Sequence, residues 1–448
     1  MLRRLTTSIN PLTSVAAAAV AATAAISSSD YAHNETVKPE GGPQPLKRKL
    51  RVAIVGSTDA VGVELVNALR RRQFPLSELK LYASRQVGAT VDTGIKGIGE
   101  VTTMKYSVEA ARRADVVFLA TSTGFSEKNA PLLTENHKAP GLKDWFGYTT
   151  RGPVVIDNSK AFRYKPDVPL VVPEINGHVA RAAIREGTSR IIANPNCTTA
   201  IAAMALWPLY QEFGLESVIM STYQAASGAG TSGIDELKES SRAMLNGGEI
   251  PPTRQFPQSL AFNVIPQIDV FEENGYTKEE MKLVWETRKI FGLDVLGIDH
   301  EEESSLASSL SSSSLSSASP DDLRRRRTVS QRLPGEGIKI SATAVRVATL
   351  RAHAAAITAQ CQRPVTPTQA RAVMERAPGV TLMDDTSGAA PSYPMPSNTS
   401  EQHDVGVGRI RQSLVFGDRG LDFFVCGDHL LRGSALNAVL IAEEVFRD

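Results

Sequence analysis

The fold is decided by the stretch Leu50-Arg-Val-Ala-Ile-Val-Gly-Ser-Thr-Asp-Ala-Val-Gly62. The apolar run Leu50–Val55 is rich in β-branched residues and predicts a buried strand, which a glycine-bounded turn follows. Apolar residues then recur at helical spacing, at Val63, Val66 and Leu69, so a helix is expected after the turn. Strand, tight turn and helix in this order are typical of the first unit of a parallel α/β sheet.

Three further apolar runs repeat the strand pattern, at about Leu79–Ala83, Asp115–Ala120 and Pro153–Ile156. Each run ends among Gly, Ser, Thr or Asn residues. Strands that alternate with helices imply a parallel sheet with right-handed crossovers. Ligands of such sheets bind at the carboxyl ends of the strands, where these small polar residues lie.

A second region begins near Asn196. Its predicted strands, Val218–Gln224, Ile338–Leu350 and Leu421–Val425, are separated by helices and loops, which indicates a mixed α+β domain. The stretch Leu430–Phe446 carries apolar residues on one side and is expected to form a C-terminal helix.

Length and composition narrow the function classes. The 448 residues suggest two or three domains, and 49 basic against 48 acidic residues argue against a general binder of nucleic acid or anionic membranes. No apolar run reaches the ~18 residues that a membrane-spanning helix needs. The three cysteines, Cys197, Cys361 and Cys426, exclude a disulfide framework and a four-cysteine zinc site, and no metal site is expected.

The turn Gly56-x-x-Asp59-x-x-Gly62 opens a helix, whose free N–H groups and positive dipole end suit a phosphate. A plain turn without a ligand is the alternative, since Asp59 stands where a glycine would let a phosphate approach. The second strand ends at Ser84-Arg85-Gln86 without an acidic residue. Because Arg85 suits a 2′-phosphate, NADP is preferred over NAD.

The motif Asn194-Pro-Asn-Cys-Thr-Thr199 precedes an evident helix, Ala200–Leu206. Cys197 is therefore expected at a helix start, where dipole and free N–H groups lower the pKa of a thiol. A lone cysteine is more often an inert core residue, but this polar setting favours a nucleophile. Cys361 and Cys426 lack such a setting and are interpreted as structural.

A base should accompany the thiol. His353 follows the predicted strand Ile338–Leu350, and Arg346 lies on the same strand face as Ala342 and Ala344. An arginine that faces this way usually meets an anion. The alternative is that both residues are ordinary surface residues.

Several motifs together resemble the aspartate-semialdehyde dehydrogenase family, over about residues 50–448 apart from a serine-rich segment. They are Asp157-Asn-Ser-Lys-Ala-Phe-Arg163, Asn194–Thr199, Ser221-Thr-Tyr-Gln-Ala-Ala-Ser-Gly-Ala-Gly230, Phe262-Asn-Val-Ile-Pro266, Gly275-Tyr-Thr-Lys-Glu-Glu-Met-Lys282, Val345-Arg-Val347 with His353, and Leu430-Leu-Arg-Gly-Ser-Ala-Leu-Asn437. The resemblance implies a Rossmann-type NADP-binding domain joined to a mixed α+β catalytic and dimerisation domain. It also implies the NADPH-dependent reduction of L-aspartyl 4-phosphate to L-aspartate 4-semialdehyde, with release of phosphate, in the biosynthesis of lysine, threonine and methionine.

The resemblance further implies roles for single residues. Cys197 would form a thioester, His353 would be the general acid/base, and Gln224 would orient the reacting group. Arg346 would hold the substrate carboxylate, Glu279 its amino group, and Arg163 and Lys282 its phosphate. Cofactor contacts are expected at Gly56, Thr58, Asp59, Ala60, Val61, Ser84, Arg85, Gln86, Ser227, Gly228 and Asn437. Asp59 and Gln86 depart from the family pattern, which usually has glycine and often serine there.

The residues around Glu279 also allow an interpretation that does not involve the substrate. Thr277-x-x-Glu280 is a capping box, so a helix begins there and places Glu279 and Lys282 three residues apart on one face. Without the resemblance, these two residues would be interpreted as a solvated ion pair.

The chain is expected to divide into a targeting segment and linker at 1–47, an NADP-binding domain at 48–195 completed by the helix at 428–448, and a catalytic and dimerisation domain at 196–427. A disordered serine-rich insert is expected at about 296–336, because residues 304–319 hold 11 serines in 16 positions. Residues 1–29 contain Arg3 and Arg4 and no acidic residue, which is typical of a transit peptide for a plastid or mitochondrion. A tail on a cytoplasmic protein is the alternative.

The expected partners are a small-molecule substrate and phosphate, with no nucleic acid and no membrane, and the family implies a homodimer or homotetramer. Two other functions stay open. An N-acetylglutamyl-phosphate reductase would share the architecture and a Cys/His pair, but its substrate has no free amino group for Glu279. A non-catalytic nucleotide-binding relative would not need the set Cys197, Gln224, Arg346 and His353.

Overall fold

The structure is a computed structural model that describes residues 48–138, 149–293, 337–387 and 392–447. The expected targeting segment and linker at 1–47 and the expected insert at about 296–336 lie outside the described residues. In the described part of the chain, no helix is both long and apolar enough to cross a membrane.

The strands in chain order are β1 Leu50–Val55, β2 Leu76–Tyr82, β3 Thr90–Asp92, β4 Glu100–Thr102, β5 Val116–Leu119, β6 His137–Lys138, β7 Thr149–Thr150, β8 Val154–Asp157, β9 Ile191–Ala193, β10 Leu215–Gln224, β11 Val264–Ile265, β12 Lys339–Val347, β13 His353–Cys361, β14 Val380–Leu382, β15 Val405–Gln412 and β16 Gly420–Gly427. The α-helices are α1 Ala60–Arg71, α2 Val108–Ala111, α3 Thr123–Thr134, α4 Pro173–Glu186, α5 Cys197–Phe213, α6 Gly230–Leu245, α7 Lys278–Ile290, α8 Pro367–Arg376, α9 Pro396–Thr399 and α10 Leu436–Phe446.

The first sheet is five-stranded and wholly parallel, in the order β2-β1-β5-β8-β9. Its inner strands are buried on both faces, as the continuous apolar runs predict. α10 packs against α1 and α4 and adds Ala438, Val439, Ile441 and Ala442 to the core of this sheet. The predicted parallel α/β sheet is confirmed.

The second sheet is seven-stranded and mixed, in the order β11-β12-β10-β13-β16-β15-β14. β10 pairs in parallel with β12 and antiparallel with β13, and β13 pairs antiparallel with β16. The buried helix α5 packs against β13 and β16 on one face of this sheet. The predicted mixed α+β region is confirmed.

One local expectation was wrong. The strand predicted through Leu350 ends at Val347, and β13 begins at His353 after a turn in which Ala352 has a φ of +70°. The helix predicted over Leu430–Phe446 is confirmed; it begins with a π-helical turn, Leu431–Ala435, and becomes α-helical at Leu436.

Candidate active site

Cys197 is the first residue of α5, directly after the loop that leaves β9. Asn196 caps this helix, because its Oδ1 accepts hydrogen bonds from the backbone N–H groups of Thr198 at 3.0 Å and Thr199 at 3.1 Å. The site also needs a glycine at 433, since a Cβ there would lie 2.5 Å from the Cys197 Cβ. The predicted position of Cys197 at a helix start is confirmed.

The strand register places three predicted site residues side by side. Gln224, the last residue of β10, pairs with Arg346 of β12 on one side and with His353 of β13 on the other. Arg346, Gln224 and His353 therefore form a row across three neighbouring strands, close to the start of α5. Each of the three is at least nine-tenths buried.

All seven predicted catalytic and substrate-binding residues line one cavity of about 380 Å³. They are Arg163, Cys197, Gln224, Glu279, Lys282, Arg346 and His353. Gly228 from the expected cofactor segment also lines it. The sequence reasoning missed Thr123, Lys160, Asn196, Ile268 and Asp269, which complete the lining. Asn196 belongs to the motif that identified Cys197, whereas no sequence signal identifies Asp269.

The electrostatic surroundings of the thiol differ from the expectation. Burial and the nearby carboxylate of Glu279 raise the pKa of Cys197 to about 11, although Thr198, Arg163 and Arg346 act in the opposite direction. The expected lowering of this pKa was wrong, because a helix start does not offset desolvation and a neighbouring negative charge. A thiol with this pKa is protonated near neutral pH.

His353 is fully buried, and its Nδ1 accepts a hydrogen bond from the backbone N–H of Ala225 at 3.0 Å. An accepting Nδ1 leaves the proton of the neutral ring on Nε2. Burial, His429 and Arg346 lower the pKa of His353 well below its ordinary value, against the smaller opposing effect of the Ala352 backbone. Nε2 has no hydrogen-bond partner in the described part of the chain, so His353 presents an N–H donor beside the cavity.

Glu279 and Lys282 form a buried ion pair rather than a solvated one. Lys282 Nζ lies 2.9 Å from Glu279 Oε2 and 2.8 Å from Asp269 Oδ2. Glu279 Oε1 accepts hydrogen bonds from Asn196 Nδ2 at 3.0 Å and Gln224 Nε2 at 3.1 Å. Although burial opposes ionisation, Lys282 and these amides hold the pKa of Glu279 below its ordinary value. The capping box that positions this helix, predicted at Thr277, is confirmed.

Arg163 is held by a buried carboxylate that sequence reasoning missed. Glu286 is fully buried, and its Oε1 accepts hydrogen bonds from Arg163 Nη1 at 3.1 Å and from the Tyr164 hydroxyl at 3.2 Å. Its Oε2 accepts the backbone N–H of Asn196 at 2.5 Å. Glu286 thus joins the arginine to the loop that carries Cys197.

The residues expected to hold the dinucleotide lie where β1 and β2 end. Gly56 has a φ of +87°, and a Cβ there would lie 2.1 Å from the Ala120 carbonyl oxygen, so only glycine fits this turn. Asp59 is exposed and its side chain makes no capping bond to α1, whose first turn contains no acidic residue. The N-terminus of α1 therefore keeps N–H donors for a phosphate, and the turn fits a dinucleotide.

The other expected cofactor residues lie in different surroundings. Ser84, Arg85 and Gln86 are exposed, and Arg85 forms no ion pair with a described residue. Ser227 is buried and its Oγ lies 3.1 Å from His429 Nε2. Asn437 is buried, donates to the Val171 carbonyl and Asn194 Oδ1, and keeps an unpartnered Oδ1 among the described residues. The cofactor roles of all these residues stay predictions.

A parallel α/β sheet joined to a mixed sheet, with a cysteine and a buried histidine in one cavity, is the organisation expected of a semialdehyde dehydrogenase. Two family models, one for each part, match the chain and show this class. The "Semialdehyde dehydrogenase, NAD binding domain" model matches residues 51–183, and the "Semialdehyde dehydrogenase, dimerisation domain" model matches residues 206–298 and 320–432. The break at 299–319 falls within the expected serine-rich insert.

Individual relatives narrow the class. The chain is 36% identical over 407 residues to an aspartate-semialdehyde dehydrogenase of Aquifex aeolicus. This match covers 89% of this chain and 98% of the relative. It is 38% identical over 396 residues to the aspartate-semialdehyde dehydrogenase of Synechocystis, and this match covers 88% of this chain and 96% of the relative. A crystal structure of aspartate semialdehyde dehydrogenase II from Vibrio cholerae complexed with ASA superposes with a TM-score of 0.71 at 32% identity and covers 90% of this chain and 99% of that one. The chain belongs to the aspartate-semialdehyde dehydrogenase family.

Proposed function

We propose that this protein reduces L-aspartyl 4-phosphate to L-aspartate 4-semialdehyde with NADPH and releases phosphate. The observation that carries the proposal is the assembly of Cys197, Gln224, His353 and Arg346 in one cavity with the buried pair Glu279–Lys282. The aspartate-semialdehyde dehydrogenases that it resembles support the same reaction. The product would serve the biosynthesis of lysine, threonine and methionine.

The charges that line the cavity suit this substrate. Four cationic side chains, Lys160, Arg163, Lys282 and Arg346, face two carboxylates, Asp269 and Glu279. Even though Glu286 behind the lining pairs with Arg163, the site keeps a net positive charge, which complements a molecule that carries a phosphate and a carboxylate. Arg346 would bind the planar α-carboxylate with its forked guanidinium, whereas Glu279 would bind the α-ammonium group. Arg163 and Lys282 would bind the phosphate, with Lys160 as a further cation.

The proposed chemistry begins at Cys197. Its sulfur attacks the acyl carbon, the bond from that carbon to the phosphate oxygen breaks, and phosphate leaves with the electron pair. Because the resting thiol is protonated, its proton passes to the departing phosphate oxygen as the sulfur attacks, so that phosphate leaves as hydrogen phosphate. Gln224 is held by Thr222 and Glu279, so its amide is fixed beside the reacting carbonyl.

NADPH, when bound, supplies the hydride that reduces the resulting thioester. The Nε2–H of His353 would donate a hydrogen bond to the substrate oxygen on which negative charge develops as the hydride arrives. The carbon–sulfur bond then breaks as this oxyanion becomes the carbonyl of the aldehyde, and the Cys197 thiolate that leaves takes up a proton from water. Gly56, Thr58, Asp59, Ala60 and Val61 would hold the phosphates of the dinucleotide, with Ser84–Gln86 at the 2′-phosphate and Ser227, Gly228 and Asn437 near its reactive end.

Glu279 distinguishes this reaction from that of an N-acetylglutamyl-phosphate reductase. Glu279 is ionised and buried, and a substrate whose amino group is acetylated would leave it without a cationic ligand group. The assembled cavity likewise argues against a non-catalytic relative.

A direct spectrophotometric assay tests the proposal in the reverse direction. The purified chain receives NADP, phosphate and either L-aspartate 4-semialdehyde or N-acetyl-L-glutamate 5-semialdehyde, and the absorbance of NADPH is followed. We expect NADP to be reduced, in a phosphate-dependent way, with L-aspartate 4-semialdehyde only. The proposal would be overturned if NADP were reduced only with N-acetyl-L-glutamate 5-semialdehyde, or with neither semialdehyde.

We further propose the division into an NADP-binding domain, 48–195 with 428–448, and a catalytic and dimerisation domain, 196–427, that forms a homodimer or homotetramer. Large apolar side chains exposed on the second domain support self-association: Ile219, Tyr223, Phe262, Val264, Val270 and Phe271. Light scattering of the wild type and of Ile219→Glu tests this, since the charge should shift the assembly towards monomer. An unchanged mass would place the interface elsewhere.

Residues 1–47 are proposed to target a plastid or mitochondrion, on the basis of their composition. Fusion of residues 1–47 to a fluorescent protein should send the fusion to one of these organelles. A diffuse cytoplasmic signal would favour the alternative.

A further inference from the structure

A second histidine lies against His353. The rings of His353 and His429 are parallel within 3°, and their centroids are 3.8 Å apart. Both side chains are buried. His429 does not line the cavity, so it can act on the reaction only through neighbouring residues, of which His353 is the one in ring contact.

His429 is itself fixed at one edge. Its Nε2 lies 3.1 Å from Ser227 Oγ, and its Nδ1 has no hydrogen-bond partner in the described part of the chain. The segment that carries it is anchored by Asp428, whose Oδ1 accepts the backbone N–H groups of Leu430 and Leu431 and whose Oδ2 accepts from Arg351 Nε at 2.6 Å. The contacts of Ser227 and Asp428 therefore fix the orientation of the His429 ring independently of its contact with His353.

We propose that His429 is a positioning residue for His353, whose ring it stacks against so that Nε2–H faces the cavity in the neutral form. The hydrogen bond from Ala225 to Nδ1 fixes one edge of the His353 ring, but it leaves rotation about that hydrogen bond open. A parallel ring at van der Waals distance removes this freedom. The proposal rests on the proposed reaction, in which His353 donates from Nε2.

The stack also opposes a charge on His353. Two imidazolium ions cannot share this separation in a buried site without strong repulsion. The charged groups around His353 are Arg346 and His429, and those around His429 are Asp428, Arg351 and Arg346. Arg346 thus disfavours a cation on both rings, while Asp428 favours one on His429. Burial lowers the pKa of both rings, that of His429 to about 4, so both rings are neutral near neutral pH.

Steady-state kinetics over a range of pH give the first test. In His429→Ala we expect kcat to fall about 10-fold to 100-fold, with the KM values for semialdehyde and phosphate changed less than about 2-fold. His429→Phe restores a flat ring without a titrating group, so it should recover a substantial part of kcat. Its acidic limb should move to higher pH, because His353 no longer shares the site with a second imidazole. His178→Ala, at an exposed position on α4, is the matched control.

Nitrogen NMR gives a second test that does not require activity. The chain contains seven histidines, and His353→Ala assigns the resonances of His353. The wild type should show a neutral ring protonated on Nε2 at pH 7, and His429→Ala should show a mixture of tautomers or exchange broadening. Unchanged kinetics and an unchanged His353 spectrum in His429→Ala would overturn the proposal, as would a wild-type ring protonated on Nδ1. A chain that shows the expected spectrum but no reduction of NADP would instead overturn the proposed function.

Discussion

Replacing Glu279 by Gln should make the Cys197 thiol react faster with an alkylating reagent but should make the enzyme turn over more slowly. The glutamine keeps an oxygen that can accept the amides of Asn196 and Gln224, but it removes the negative charge. With a pKa of about 11, about one Cys197 thiol in a thousand is ionised at pH 8. Loss of a nearby negative charge lowers a thiol pKa by about one unit, which raises the thiolate fraction and the rate of alkylation about tenfold.

The same change should impair turnover. The substrate ammonium loses its anionic partner, which costs about 2 kcal/mol or more and reduces kcat/KM by about 30-fold or more. Iodoacetamide labelling of the peptide that contains Cys197, measured by mass spectrometry beside steady-state kinetics, reads both effects. Glu280→Gln is the matched control, because Glu280 is buried on the same helix but bonds to Thr277 and Ala344 outside the cavity lining. Equal labelling rates for Glu279→Gln and the wild type would refute the electrostatic account of the thiol.

Three further substitutions test other parts of the site. Arg346→Lys should reduce kcat/KM for the semialdehyde about 100-fold while the KM for NADP stays within about 2-fold, because lysine cannot make the two-pronged contact; a proportional loss for both ligands would contradict this role. Arg85→Ala should lower the preference for NADP over NAD about tenfold in kcat/KM, and an unchanged ratio would mean that Arg85 points elsewhere. Glu286→Ala should lower the free energy of unfolding, measured with urea, by about 3–5 kcal/mol, because it leaves Arg163 buried without its counter-ion. Glu286→Gln should lower it less. Equal stability of the alanine variant and the wild type would refute the pairing.

Local sequence patterns predicted much of the fold. Alternating strands and helices indicated the parallel sheet, and the capping box at Thr277 marked the start of α7. The polar motif around Cys197 placed that residue at a helix start. These features depend on neighbouring residues in the chain, which a single sequence displays.

The features that the sequence did not predict are non-local. The row of Arg346, Gln224 and His353 depends on the register of β10 against β12 and β13, which follow each other in the chain but lie far from β10. The raised pKa of Cys197 depends on burial and on Glu279, which lies 82 residues further along. The burial of the Glu279–Lys282 pair has the same origin, since helical spacing alone does not distinguish a buried face from a solvated one.

The proposed reaction requires a covalent intermediate at Cys197, and trapping that intermediate tests the reaction most directly. The wild type and Cys197→Ser are each mixed with L-aspartyl 4-phosphate in the absence of NADPH, quenched in acid, digested and analysed by mass spectrometry. We predict one aspartyl group on the peptide that contains Cys197, removed by hydroxylamine and absent from the serine variant, which should also lack turnover. An enzyme that reduces the substrate without this adduct, or a serine variant that retains substantial activity, would contradict the account.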